Sequence, residues 1–211
     1  MVCDVMTGVK ARGKGVFTQI GIYSTNQLKE NGLAFSIGYP IRPEVIPGHL
    51  KAGWEKMFSL PLYIKFLDFS SILKTKKIGF LAPAANVFLK TYNGILSIIN
   101  RENTYDVKMY SSHSIDEIID FDEFFINWIE EQPIALNKNI EFLKWRLGAP
   151  DKQYNIIVAR KDKKIVGYAI VSYVIKENVP SIAILDISSL NGYKGIAKAI
   201  FKKIDVLAKQ K

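Results

Sequence analysis

Cysteine is almost missing from this chain: Cys3 stands alone among 211 residues. A disulfide framework within the chain is therefore impossible, and a zinc site of paired cysteines cannot be built. A reducing setting fits, and we expect a cytoplasmic protein. Histidine is scarce as well, with only His49 and His113, so metal chemistry has little support and no metal ligand is assigned. The N-terminal stretch MVCDVMTGVKARGKG lacks the apolar core of a signal peptide. Long clean hydrophobic runs are also missing. Residues 78–99 come nearest, with Lys90 as their one charge. Pro83, Asn86, Lys90 and Asn93 interrupt them, whereas a spanning helix needs about 20 mostly apolar residues. They predict a buried or docking helix and no stable membrane insertion.

What the chain does have is ordinary globular content, 48% hydrophobic and 23% charged. A chain this long can bury a proper core as one large domain or two small ones. The net charge of +9 is uneven. Residues 1–100 carry 12 basic and 5 acidic side chains, residues 101–150 carry 5 and 10, and residues 151–211 carry 12 and 5. Two basic ends flank an acidic middle. That pattern serves solubility or an anionic ligand. No recognition motif for nucleic acid accompanies it, and no nucleic-acid partner is expected.

Val2–Thr7 reads as a short strand running into the Gly-rich basic turn GVKARGKG. Apolar positions from Val16 to about Glu30 follow a helical period that Asn31-Gly32 ends. Leu33, Phe35, Ile37 and Tyr39 alternate, which predicts a strand over 33–39. Pro43 opens a short helix ending at Gly53, and 54–67 reads as apolar and extended. A helix is expected over 84–99. A new unit starts near Tyr105, with a strand at Val107–Tyr110. Ser114–Glu131 reads as one acidic helix, with Ser114 as N-cap and Glu117 completing a capping box. A second helix covers Lys138–Leu147. Strands follow at Tyr154–Arg160, Lys164–Val174 and Ser181–Ser188, the first two joined by Lys161-Asp162-Lys163. Ile196, Ile200, Ile204 and Leu207 share one face of a last helix.

The two ends resemble each other. Setting Gly15 on Gly195 places VKARGKGVFTQIGIY beside SLNGYKGIAKAIFKK. Both read strand, glycine loop, helix, and such repeats reorganise the whole reading of a fold.

The segment with the clearest chemistry is Arg12-Gly13-Lys14-Gly15-Val16, set between a strand and a helix. Glycines let the backbone turn sharply and approach a ligand without a Cβ in the way. A helix start offers unpaired N–H groups and a positive dipole end. Together these make a site for phosphate or pyrophosphate, to which Lys10, Arg12 and Lys14 add charge. Neither the Walker loop nor the dinucleotide Gly-x-Gly-x-x-Gly is present.

The pattern Arg-x-x-Gly-x-(Gly/Ala) between strand and helix resembles the acyl-coenzyme A signature of the GNAT acetyltransferases. Here it reads Arg12-Gly13-Lys14-Gly15-Val16-Phe17, with Phe17 where the family has a small residue. GYPIRPEVIPGHLKAGW (38–54) is similar to the family's later strand, helix and turn, the turn being Ala52-Gly53-Trp54. FLKWRLGAP (142–150), YNIIVARKDKKIVGYAIV (154–171) and AILDI (183–187) look like the first half of a second such domain.

The resemblance implies an α/β fold with a mixed sheet, in two partial copies of a tandem-domain type cut at both ends. Residues 1–67 would be the C-terminal half of one GNAT-like domain, 68–104 a linker with an apolar helix, and 105–211 the N-terminal half of another. The halves would belong to a tandem fragment or share one sheet in permuted order, and we expect them to pack, since each alone exposes sheet edges. The resemblance further implies acetyl-CoA as cofactor, with its pyrophosphate on backbone N–H groups across Arg12, Gly13, Lys14, Gly15, Val16 and Phe17. The acceptor would be an amine on a small molecule or a peptide. Direct transfer needs a base for the ammonium and an acid for the departing thiolate. His49 takes the position of the family's acid, and imidazole is the side-chain type whose charge changes nearest neutral pH, which suits proton transfer. Asp4, on the strand before the loop, is the candidate base. The loop Asn191–Gly195 lacks the arginine, so weaker or no cofactor binding is expected there. A non-catalytic GNAT-like binding module is the alternative.

Overall fold

The computed structural model describes residues 7–40, 42–99, 105–150 and 152–209, with the side chains of 96–99 left out. The expected strand at 2–7 falls almost wholly outside these residues. The chain divides into two compact units, Met1–Ile64 and Lys65–Lys211.

The first unit is helical where it is regular. Helix α1 spans Val16–Glu30 and α2 spans Ile46–Lys51, after a 3-10 turn at Pro43–Val45. Gly32, at φ +77°, ends α1 as the Asn-Gly pair predicts. Small residues set the α1–α2 contact: a Cβ on Gly21 would lie 3.0 Å from the Ala52 Cβ, and Ala52 is buried. The strand expected over 33–39 does not form, and 54–67 pairs with nothing regular either. The alternation is real, and Leu33, Phe35, Ile37 and Tyr39 are all exposed. A strand exists only by pairing its N–H and C=O groups with a neighbour. Period-two patterning identifies a segment that can pair, and no ladder partner lies within the described part of this unit.

The second unit is built on a four-stranded antiparallel sheet in the order β1-β2-β3-β4. Its strands are β1 Asp106–Ser111, β2 Tyr154–Lys161, β3 Lys164–Lys176 and β4 Val179–Ser189. Both two-residue hairpins are tight. Asp162 and Lys163 have φ of +51° and +69°, and Glu177 and Asn178 have +52° and +63°. Positive φ at both central positions is the type I′ turn, whose twist matches the strands it joins. Helices α5 Phe121–Glu130 and α6 Ile140–Leu147 cover one face, and α7 Ile196–Lys209 covers the other. The central strands are therefore apolar on both sides, which explains the runs NIIVA and VGYAIV. Phe121, Phe124, Leu143, Ile156, Val158 and Tyr168 fill the first face, and Ile157, Ala159, Val166, Val171, Ile196 and Ile200 the second. At Gly167 a Cβ would meet Ile196 Cγ2 at 2.6 Å, so the absent side chain lets α7 settle on β3.

The single acidic helix expected from Ser114 is instead two pieces. A 3-10 stretch covers Ser112–Glu117, and Ser114 within it has non-helical backbone angles. Ser111 takes the capping role by accepting from the His113 N–H. The chain then turns through Asp120, at φ +67°, before α5 begins. This break lets Ile115, Ile118 and Phe121 all reach the core, a gain that outweighs a capping box.

Residues 65–99 add α3 Ser70–Thr75 and α4 Ala82–Ile99. Asn86 ties α4 down: its Oδ1 accepts from the Phe69 N–H at 2.8 Å and its Nδ2 donates to Asp68 Oδ2 at 2.7 Å. Ala82 is buried beneath it, while Phe80, Val87, Phe88, Tyr92 and Ile95 face outward. No helix among the described residues is long and apolar enough to cross a membrane.

Candidate functional site

The loop 12–17 has the geometry its glycines predict. Gly13 and Gly15 sit at φ +76° and +72°, in the left-handed region that favours glycine. Gly15 is the N-cap of α1, and no side chain caps the helix. The first bond of the helix is the one that Gln19 N–H donates to the Gly15 carbonyl, at 3.0 Å. A Cβ at Gly13 or Gly15 would meet nothing within 4 Å. The loop is thus open on its outer side, and the start of α1 offers uncapped N–H groups. Arg12, Gly13, Lys14 and Gly15 are exposed, and Arg12 Nε donates to the Thr7 carbonyl at 3.3 Å. Uncapped donors, an open backbone and two neighbouring cations suit a pyrophosphate.

Phe17 does something the sequence did not signal. Its ring meets the His49 imidazole edge-on, with centroids 4.9 Å apart, and His49 lies 5.0 Å from the Trp54 ring. Trp54 Nε1 in turn donates to Thr25 Oγ1 at 3.3 Å. A Cβ on Gly48 would fall 2.6 Å from the Phe17 ring, so the glycine before His49 makes room for it. The end of the loop and the proposed acid are brought together by this aromatic stack. Asp4, the proposed base, lies outside the described residues.

The second glycine loop shares with the first a left-handed glycine at the start of its helix, while its other left-handed glycine lies three residues earlier instead of two. Gly192 and Gly195 have φ of +81° and +84°, and Ala199 N–H donates to the Gly195 carbonyl at 3.0 Å. Its backbone is already engaged, however. Asn191 N–H donates to Glu131 Oε2 at 2.9 Å, and Tyr105 OH donates to the Lys194 carbonyl at 2.7 Å. A carboxylate of the chain itself thus occupies a donor of this loop.

Another polar group of the second unit went unnoticed in the sequence. Lys138, from the α5–α6 connection, bonds Asp186 Oδ2 of β4 at 2.7 Å, and Tyr168 OH donates to the same oxygen at 2.8 Å. Burial, together with the Asp186 charge, pushes the Tyr168 phenol far above its ordinary range. Three residues 18 to 48 positions apart carry no sequence signal of this kind. A cleft of about 760 Å³ in the second unit, between Asp106, Tyr110, Asp120 and Arg160, contains none of the expected catalytic or cofactor-binding residues. No group of three or more His, Cys, Asp or Glu among the described residues could hold a metal ion.

Residues 1–57 match the family model described as an acetyltransferase (GNAT) domain. Among curated proteins none gives a significant match. Several solved acetyltransferase structures are similar to the chain at low identity. An aminoglycoside acetyltransferase from an uncultured soil metagenomic sample, in complex with sisomicin, is 17% identical, with 51% of this chain and 72% of that one covered, at a TM-score of 0.38. A ribosomal-protein-alanine N-acetyltransferase from Brucella melitensis biovar Abortus 2308 is 18% identical over 51% and 74%, also at 0.38. AAC(6')-Iy in complex with a bisubstrate analog, CoA-S-monomethyl-acetylneamine, is 13% identical over 51% and 74%, at 0.37.

Proposed function

We propose that the first unit binds acetyl-CoA through the loop 12–17 and takes part in acetyl transfer to an amine. One observation carries this reading: the GNAT match over residues 1–57 includes a glycine loop whose backbone opens onto an uncapped helix start. The pyrophosphate would accept from N–H groups between Gly13 and Phe17, with Arg12 and Lys14 supplying charge. The group itself would supply the activated thioester. Acyl transfer from it to a neutral amine would give an amide and a free thiol. Asp4 is the proposed base that takes the ammonium proton, and His49 the proposed acid that protonates the leaving thiolate. Phe17 and Trp54 would hold the imidazole in place, making them positioning residues. The acceptor is an amine on a small molecule or a peptide.

A second reading is a GNAT-like module that binds without turnover. It is favoured by the unpaired state of 33–39 and 54–64, which leaves the first unit without a sheet of its own among the described residues. Calorimetry with acetyl-CoA tests both readings, since each requires binding at this loop. Absence of heat at millimolar cofactor would overturn both. If cofactor binds, a thiol-release assay with mixed primary amines separates them: release supports transfer, and silence supports the module.

A further inference from the structure

One helix of the second unit is turned inside out. On α4 the half-buried side holds Asn86 and Asn93 beside Ala85 and Leu89, while Val87, Phe88, Tyr92 and Ile95 stand outward. These four fall at i, i+1, i+5 and i+8, which is one stripe of a helix. Phe88 is 74% exposed and Val87 65%. Phe80, at 79%, adds a ring in the 3-10 turn Gly79–Leu81 that precedes the helix. The inward polar side has its own reason, since Asn86 bonds the Phe69 N–H and the Asp68 carboxylate. An outward apolar stripe has none within the fold, and such a surface marks an interaction site.

The charge beside the stripe tells what it meets. Residues 69–101 hold Lys74, Lys76, Lys77, Lys90 and Arg101 and not one Asp or Glu. Lys74, Lys76 and Lys77 are exposed, and none of them enters an ion pair among the described residues. The fold gathers them next to the apolar face. α3 ends at Lys77, φ +60°, where the Ile78 N–H donates to the Leu73 carbonyl and the Lys77 N–H to the Lys74 carbonyl, both at 3.0 Å. The chain thus folds back over α3: a Cβ on Gly79 would lie 3.3 Å from Lys74 Cγ, one residue before Phe80. Asp68, at the border, is engaged by the Ser70 N–H and by Asn86. A second copy joined through the same patch would bring no carboxylate to these lysines. An anionic lipid surface supplies both partners, negative headgroups for the cations and acyl chains for the rings. Its fluid interface also takes a convex helix face without a shaped groove.

We propose that this face docks the second unit on an anionic bilayer. α4 lies in the plane of the interface, with Phe80, Val87, Phe88, Tyr92 and Ile95 at the acyl chains and Lys74, Lys76 and Lys77 at the headgroups. The attachment is peripheral and reversible, since no helix among the described residues is long and apolar enough to cross a membrane. Apolar area and basic charge are two weak signals that hold together what neither holds alone. The surface uses none of the residues assigned to acyl transfer and is independent of that reading.

The probe is a sucrose-loaded vesicle of phosphatidylserine and phosphatidylcholine in equal parts, sedimented with the full chain. Wild type is expected to pellet with it, to stay in solution with phosphatidylcholine alone, and to be released by salt. Changing Lys74→Gln, Lys76→Gln and Lys77→Gln together weakens binding on the order of a hundredfold, about fivefold per lysine. The matched triple Lys152→Gln, Lys161→Gln, Lys163→Gln removes the same charge from other elements and keeps most of the affinity. Phe88→Gln with Tyr92→Gln leaves the net charge alone and weakens binding about tenfold or more. On a Cys3→Ser background, a nitroxide on Phe88→Cys becomes shielded from a water-soluble nickel chelate when vesicles are added. The same label on Lys90→Cys, about 200° around the helix, stays accessible. Circular dichroism confirms that each variant is folded. The proposal is overturned if wild type does not pellet with the anionic vesicles, if the two lysine triples lose binding equally, if the Phe88 and Tyr92 changes have no effect, or if the label at 88 stays as accessible as the label at 90. A dimer that depends on Phe88, without vesicle binding, would overturn it in favour of a second copy.

Discussion

The Phe17 ring stands at 77° to the His49 imidazole, its centroid 4.9 Å away. One residue thus closes the glycine loop and braces the histidine. Phe17→Ala should lower the stability of the first unit by roughly 2 kcal/mol, below the cost for a fully buried ring because Phe17 is half-buried. In the transfer reading it also lowers kcat with little change in acetyl-CoA affinity, as His49→Gln does without the loss of stability. Steady-state kinetics beside urea denaturation checks both. A loss confined to cofactor affinity would remove His49 from the chemistry.

Gly15 tests the loop. Its φ of +72° costs a residue with a β-branched side chain about 1–2 kcal/mol, while asparagine tolerates the region better. Gly15→Val should abolish acetyl-CoA binding in calorimetry, and Gly15→Asn should retain part of it. No existing neighbour lies where the new Cβ would go, so both variants should fold. Unchanged affinity in Gly15→Val would mean that the cofactor sits elsewhere.

Gly167 tests packing in the second unit. An alanine there would press into Ile196 Cγ2 and lie 3.0 Å from the Ser188 carbonyl. Overpacking of this kind costs about 1–3 kcal/mol. Denaturant midpoints for Gly167→Ala should fall accordingly, and the loss should shrink when the same change is made on an Ile196→Ala background, which lacks Cγ2.

Tyr168 gives the second unit an alkaline limit. Its folded pKa is raised by burial first and by the Asp186 charge second. The neutral phenol is therefore favoured in the fold. Its contribution is complete below the ordinary value near 10 and is lost as pH rises above that, where the unfolded chain ionises and the folded chain does not. Tyr168→Phe should be less stable than wild type at neutral pH, by about 1.5–3 kcal/mol for a bond to a charged group. The gap should narrow on passing from pH 9 to pH 11 (flanking the reference value near 10) in urea denaturation. A constant gap would refute the shift.

The hairpin at Asp162–Lys163 offers a gain. Non-glycine residues at positive φ carry a cost that Asn-Gly avoids in a type I′ turn. The double change Asp162→Asn, Lys163→Gly should raise stability by about 0.5–1 kcal/mol, measured as a higher denaturant midpoint.

The second unit was the more legible half. Every strand from β1 to β4 was read to within two residues, because period-two patterning, charged two-residue turns and double-sided burial all point the same way there. The first unit was legible in its helices and its glycine loop, where Gly13, Gly15 and Gly32 mark local backbone geometry. The pattern at Leu33, Phe35, Ile37 and Tyr39 misled, because alternation records the ability to pair and says nothing of a partner. Ser114 misled for a related reason: a capping box is local, and the burial of Ile115, Ile118 and Phe121 is not. The Phe17–His49 contact and the Lys138–Asp186–Tyr168 cluster join residues through tertiary packing, which no spacing along the chain encodes.

The outward apolar face of α4 has a practical side. Val87, Phe88, Tyr92 and Ile95, with Phe80 in the 3-10 turn before the helix, give the native chain the kind of accessible greasy surface that fluorescent dyes report as partial unfolding. Dye-monitored melting will start from a bright baseline and hide the transition. Intrinsic tryptophan emission and circular dichroism are the spectroscopies that will see this protein melt.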